Sequence, residues 1–242
     1  MNDAKIAKNK FWQHGEQIVV GEQLLLRPVK DSDREGFLDL QRQHSPFKKS
    51  LEVKRNCDLI WDEHRTSEAI TLTIEFEEQY VGYCSVNSSS RMPWEISIEL
   101  RSEWTKQGIG RLAISAMLNA VKTRLGVDVF RIRIEPTNTA SQNLFEKLGA
   151  VPHGISELWV HDQKILEEVE EKNLHLIDDQ LTSVAEKFGV EPRKLLSHVL
   201  EYSLVWQTDD ERIEAVARDV LDRFKPAFEE LAKGPGGKHE DN

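Results

Sequence analysis

The chain has 242 residues, 39% of them hydrophobic and 31% charged, with a formal net charge of -10. That is enough apolar material for one medium domain with an appendage, or for two small domains, and it excludes a disordered chain. No apolar stretch approaches the roughly 18 residues of a membrane span, and the first residues lack the apolar run of a signal peptide, so a cytoplasmic protein without a membrane segment is expected. Cys57 and Cys84 are isolated thiols and the eight histidines show no ligand spacing, so neither a disulfide framework nor a metal site is expected.

The charge is unevenly placed. Residues 161–242 hold 11 Lys and Arg against 20 Asp and Glu, while residues 1–160 hold 21 against 22. A neutral body followed by an acidic region excludes general binding to nucleic acid, which needs concentrated Lys and Arg.

In chain order, residues 1–17 read as a polar N-terminal arm or short helix, with Phe11 and Trp12 available to dock it. Residues 23–29 read as a strand ended by Pro28. Asp31, Ser32 and Asp33 then offer a cap for a helix beginning at Phe37, Leu38 and Leu40. A second helix is expected from Leu51 to His64, with Cys57, Ile60 and Trp61 on one face. From Ala69 the period changes to two: Ile70, Leu72, Ile74 and Phe76 mark a strand, and residues 77–79 turn the chain into a second strand at 80–86. A third strand follows, Trp94 to Leu100, with 94, 96, 98 and 100 apolar and Glu95, Ser97 and Glu99 on the other face. After Ser102 to Gln107 comes Gly108-Ile109-Gly110 and a long helix carried by Leu112, Ala113, Ala116, Met117, Ala120, Val121 and Leu125, with Gly126 as its stop. Residues 127–134 read as a strand and Asn138 to Leu148 as a helix ending at Gly149. The order describes an α/β fold with a mixed sheet.

Beyond Val160 the pattern is less definite. Residues 174–177 fit either a closing strand or the continuation of a helix, and residues 181–188, 192–206 and 208–224 look like successive helices. The last carries a capping box, Thr208 with Glu211. These residues imply an acidic all-α subdomain over 178–233 that docks on the N-terminal body or pairs two copies of the chain, followed by a disordered tail over 234–242. Gln180 to Leu200 has the spacing of a helix-turn-helix, but its surroundings are acidic and Arg193 and Lys194 are offset by Glu191 and Glu201.

A strand, a short loop, Gly-x-Gly and a helix form an anion site by construction. The unpaired N–H groups of Gln107 to Arg111 leave the helix start where its dipole favours negative charge, and Lys106 and Arg111 add cations. The block from Trp94 to Ala113, followed by the block from Ile134 to Gly149, resembles the GNAT superfamily of N-acetyltransferases. Leu25 to Val29 with Asp31, Asp33 and Phe37 resembles that family's opening strand and helix. The resemblance covers about residues 22–160 and implies a mixed, mostly antiparallel sheet flanked by helices over 18–177, with acetyl-CoA as co-substrate.

It implies site residues as well. Gln107, Gly108, Ile109, Gly110 and Arg111, with Lys106, would hold the pyrophosphate of coenzyme A. The backbone of Leu100 and Arg101 would pair with the pantetheine arm and present an N–H to the thioester oxygen. Asn138 would contact the pantetheine, with Ser141 one turn along the same face. The acceptor would be an amine on a small molecule, a protein N-terminus or a lysine, attacking the thioester directly; an α-amine at about 8 needs less help from a base than a lysine at about 10.4. Glu95 and Glu99 are the candidate bases, with Glu95 slightly ahead because family members often carry Glu there. Two positions depart from the family pattern, Thr105 where Arg or Gln is usual and Phe145 where many members have Tyr. They keep open the alternative of a non-catalytic acyl-CoA-binding protein.

Overall fold

The computed structural model describes residues 3–45, 48–88, 93–157, 160–208 and 210–211. The chain divides into two compact units, Met1–Trp206 and Gln207–Asn242. In chain order the first unit contains α1 (Asp3–Trp12), β1 (Ile18–Val20), β2 (Leu24–Pro28), α2 (Arg34–His44), α3 (Lys54–Thr66), β3 (Ile70–Phe76), β4 (Gln79–Asn87) and β5 (Trp94–Leu100). It continues with α4 (Ile109–Leu125), β6 (Val129–Ile134), α5 (Thr139–Lys147), β7 (Val151–Ser156), α6 (Gln163–Asn173), α7 (Asp179–Phe188) and β8 (Val199–Val205). The strands form one sheet in the order β1-β2-β3-β4-β5-β6-β8-β7. Every neighbouring pair is antiparallel except β5 and β6.

Side-chain alternation divides the core between the two faces of the sheet. The larger cluster gathers Phe11 of α1, Ile114 and Met117 of α4, Phe145 of α5 and Ala185 of α7 around the even-numbered side chains of β5, β6 and β8. The smaller cluster joins Phe37 and Leu38 of α2 to Cys57 and Trp61 of α3, with Tyr80 and Tyr83 of β4 packed against it. The N-terminal residues dock as expected, since Phe11 is fully buried and takes the Arg124 guanidinium over its ring at 4.6 Å. The meander and the long helix with its Gly126 stop also form as expected.

The C-terminal expectations are corrected. Residues 192–206 are not a helix: Pro192–Leu196 form one 3-10 stretch, and Val199–Val205 are β8, inserted between β6 and β7. The apolar residues at 195, 196, 199, 200, 204 and 205 imitate helical spacing, but Leu200, Tyr202, Leu204 and Trp206 alternate, all 5% exposed or less, and that period of two prevails. The boundary expected at 177/178 therefore falls at 206/207, because α7 and β8 complete the sheet domain. Residues 174–176 are a 3-10 turn at the end of α6, not a closing strand. The helix-turn-helix reading falls with this change, since Arg193 and Lys194 both turn inward to the buried Glu170. The Thr208–Glu211 capping box is present, with both N–H bonds formed at 2.7 and 3.4 Å. The remainder of the expected helix to 224, the rest of the acidic extension, the pairing of two copies through it and the tail lie outside the described residues.

Asp33 stands at the N-cap of α2 but makes no side-chain cap bond to it. Its carboxylate turns into the sheet and takes both Nη groups of Arg27 at 2.8 and 2.9 Å, the Thr73 hydroxyl at 2.8 Å and the Lys30 N–H at 2.9 Å. Burial raises the pKa of Asp33, and the bonds from Arg27, Lys30 and Thr73 overcome it and hold the carboxyl below its ordinary value. Glu170, fully buried, is held low in the same way by Lys194, Ser197 and Arg193. His64 of α3 is pushed down from 6.5 to about 4, mainly by burial. Each of the three has a folded pKa below its unfolded one, so each contributes stability in full above the unfolded value and loses it as pH falls through the folded value. Stability is thus expected to decline from about pH 6.5 towards 4 through His64, then more steeply through Asp33 and Glu170. Urea midpoints measured against pH check this, and His64→Gln should flatten the upper phase.

Candidate active site

The start of α4 is built from main chain. Gly108 stands at the N-cap with φ +85°, and Leu112 is the first residue to donate within the helix, to Gly108 O at 3.1 Å. The N–H groups of Ile109, Gly110 and Arg111 precede it and have no carbonyl one turn back to receive them. A Cβ on Gly110 would stand 3.3 Å from Leu100 and 3.5 Å from Ile98, so its absence lets the helix start settle against β5. Lys106 sits at φ +61°, a left-handed conformation that lysine seldom adopts. The Gln107 side chain folds back onto Glu103 O at 2.7 Å, so its main chain rather than its amide group faces outward. Thr105 likewise closes on Ser102 O at 2.8 Å and does not replace the longer donor usual at its position. Lys106, Gln107, Gly108 and Arg111 are exposed, whereas Ile109 and Gly110 are buried. Trp104 packs edge-on against Phe76 at 5.6 Å.

A wedge leads to this helix start. The parallel strands β5 and β6 pair only at Trp94–Phe130 and Glu95–Arg131, although they run on to Leu100 and Ile134. Beyond residues 95 and 131 they part, and the gap opens toward the loops that enter α4 and α5. Arg101 N–H donates to Val81 O at 2.9 Å. In an antiparallel ladder that places the polar backbone of Glu99 and Ser97 toward β4 and that of Ile98 and Leu100 toward the gap. The amide expected from Arg101 is therefore committed to the sheet, and those of Ile98 and Leu100 face the wedge. The Leu100 carbonyl accepts from His44 Nε2 at 2.9 Å, and Ser102 N–H donates to Gln43 Oε1 at 3.0 Å, so the end of α2 steadies the end of β5.

The odd-numbered side chains of β5 stand on the polar face beside the wedge. Glu99 is positioned from two elements: Tyr83 of β4 donates to its Oε1 and Gln41 of α2 to its Oε2, both at 2.8 Å. The Tyr83 ring meets His64 edge-on at 4.6 Å, and His64 stacks on Phe37 at 4.1 Å. Burial, and after it the Glu99 carboxylate, push the Tyr83 phenol well above its ordinary pKa, so it serves Glu99 as a donor. Glu95 stands in a different setting, bridging Arg133 Nε at 2.9 Å and Arg131 Nη2 at 3.1 Å. No local sequence pattern marks Gln41, His64, Arg131 or Arg133. Each reaches the site from an element distant in sequence.

Asn138 caps α5, its Oδ1 accepting from Ser141 N–H at 3.0 Å, a bond that does not use its Nδ2. Phe145 is 2% exposed within the main core. Among the described residues no group of His, Cys, Asp and Glu gathers to hold a metal, and no helix is long and apolar enough to cross a membrane. A groove of about 630 Å³ lined by Glu22, Glu75, Glu77 and Glu78 lies at the β1 edge of the sheet. Two of its carboxylates are already engaged, Glu75 by Arg27 and Glu77 by Gln23.

Solved structures share this architecture. RimL, a ribosomal L7/L12 alpha-N-protein acetyltransferase in complex with coenzyme A, aligns with a TM-score of 0.54 and 15% identity over 80% of this chain and 100% of that one. RimJ of Mycobacterium smegmatis in complex with CoA-disulfide aligns with a TM-score of 0.52 and 15% identity over 84% and 94%. A GNAT-family acetyltransferase from Bacillus anthracis aligns with 0.53 and 14% over 78% and 98%. At such identities the likeness is one of fold. No curated protein matches the chain. The family model for the acetyltransferase (GNAT) domain matches residues 23–151, more than half of the chain, and the protein belongs to the GNAT acetyltransferase family.

Proposed function

We propose that the protein is an acetyl-CoA-dependent N-acetyltransferase whose acceptor is a primary amine, with a peptide α-amine as the favoured class. The observation that carries this reading is the wedge between β5 and β6, which joins outward-facing amides on one strand to the amide-rich start of α4. An extended pantetheine arm fits a strand edge of this kind, and a diphosphate fits the N–H groups of Ile109, Gly110 and Arg111 with the exposed Lys106 and Arg111 beside them. The Leu100 or Ile98 amide polarises the thioester oxygen.

The amine nitrogen forms a bond to the acetyl carbon, the carbon–sulfur bond breaks, and the amine proton passes to Glu99 directly or through one water. Glu99 serves better than Glu95 because its two partners are neutral donors, whereas Glu95 is held by two guanidinium groups. Since Phe145 lies in the core and carries no hydroxyl, the sulfur leaves as thiolate, which a thiol of pKa about 8.5 permits. The open polar face supports a peptide acceptor: Ser97 and Asn87 are exposed on it, so an extended chain end has room to lie there.

The test is calorimetric titration with coenzyme A, followed by thiol release from acetyl-CoA with a panel of amines and N-terminal peptides. Gly108→Trp is expected to weaken coenzyme A at least about tenfold, because it places bulk and an unfavourable φ where the diphosphate approaches. Wild-type protein with no affinity for coenzyme A would overturn the reading. Binding without turnover on any amine would favour a non-catalytic acyl-CoA-binding protein.

A further inference from the structure

The polar face beside the wedge carries a second charged constellation. Arg131 and Arg133 of β6 point to the same face as Glu95, and Glu95 joins them, one guanidinium on each carboxylate oxygen. Sharing one carboxylate fixes both guanidinium groups and leaves one positive charge over. The pair is not sealed in: the Arg131 and Arg133 side chains are 33% and 25% exposed. Each guanidinium has five N–H donors, and the bridge to Glu95 uses one of each. Arg131 Nε is buried and meets no acceptor among the described residues. Glu201 of β8 stands opposite Arg133 in the strand register, yet no ion pair forms between them. Two oriented guanidinium forks with spare donors match a planar carboxylate, which takes two parallel N–H bonds from such a fork.

We propose that Arg131 and Arg133 form an acceptor subsite for a carboxylate, so that the enzyme selects peptide N-termini with an acidic side chain at the third or fourth residue. The inference rests on the acceptor face assigned above and adds its specificity. The spacing comes from β5 itself. Glu99 and Glu95 lie four residues apart on one face of a strand, roughly 13 Å at about 3.3 Å per residue. An extended peptide with its amine at Glu99 brings its third or fourth side chain to the arginines. The preference runs against the acidity of the chain as a whole, because it is set by two fixed guanidinium groups near the site and not by distant, screened charge.

The experiment measures binding separately from chemistry. Eight-residue amidated peptides, uncharged apart from the free N-terminus and a single Asp or its Asn counterpart at position 2, 3, 4 or 5, are titrated into the full chain saturated with coenzyme A. The Asp peptide should bind about tenfold or more tightly than its Asn partner at position 3 or 4, with a smaller ratio at 2 and 5. The ratio should fall toward one in Arg131→Gln and in Arg133→Gln, and should rise in Glu201→Gln. Equal affinity for the two peptides, no affinity for either, or a ratio that survives both arginine variants overturns the proposal. Arginines that only brace β5 against β6 would lower the melting temperature and affect both peptides alike, which also overturns it. Preferential binding of the Asp peptide with no thiol released would instead retain the subsite and remove the acetyltransferase reading.

Discussion

Glu99→Gln is expected to lower kcat/KM for the acceptor amine about a hundred- to a thousand-fold, within the usual span for a general base, while coenzyme A affinity stays within about twofold. The substitution keeps the shape of the side chain and can still accept one hydrogen bond, so the wedge and the helix start are left as they are. What disappears is an anionic oxygen held by Tyr83 and Gln41 on the face from which the amine arrives. Tyr83→Phe and Gln41→Ala each remove one of those bonds and should cost about tenfold, in kcat more than in KM, because they loosen the aim of the base without removing it. Glu95→Gln is the decisive comparison. It releases two guanidinium groups and should lower the melting temperature, but its effect on kcat with a neutral acceptor should stay under about tenfold. If the two glutamine variants exchange these phenotypes in a steady-state thiol-release assay, the base is Glu95 and the assignment is wrong.

That pair of glutamates shows which parts of the site local sequence can carry. The alternation from Trp94 to Leu100 settles that both carboxylates share a polar face, and the glycines at 108 and 110 settle where the backbone is bare. These are properties of a few consecutive residues. The difference between the two carboxylates is not, because it depends on Gln41, 58 positions from Glu99, and on Arg131 and Arg133, 36 and 38 positions from Glu95. The wedge is equally hidden, since the two strands are separated by the whole of α4 and pair over only two residues. Asp33 shows the opposite failure. Its position before a helix suggests a cap, but the buried Arg27 guanidinium of β2, six positions earlier, takes the carboxylate, and no side-chain bond to the first helical amides forms. In β8 the spacing of six apolar residues fitted a helix as well as a strand, and only the open edges of β6 and β7 decide between them.

Gly82→Ala is expected to destabilise the protein by about 3 kcal/mol or more and to remove most of the activity that remains at permissive temperature. At this residue β4 bulges: Ile74 of β3 faces Gly82 while Glu75 faces Tyr80, so Val81 is the extra residue. The bulge brings Gly82 against β5 so closely that a Cβ would lie 2.1 Å from the Glu99 carbonyl oxygen and 2.9 Å from the Leu100 Cα. Those atoms are backbone and cannot swing aside, so the alanine methyl has to push the end of β5 away from β4. Glu99 and Leu100 move with it, and a displacement of about 1 Å in a reacting group can cost a hundredfold in rate. Gly154 supplies the control. Its φ of +149° is close to the +154° of Gly82, but nothing lies within 4 Å of its Cβ position. Gly154→Ala therefore meets the same backbone preference without the collision, and should cost about 1–2 kcal/mol with kcat nearly unchanged. Denaturation midpoints and thiol-release rates on the two variants separate strain from displacement. Equal losses in both would mean that the left-handed backbone alone accounts for the effect and that the contact between Gly82 and Glu99 does not hold the base in place.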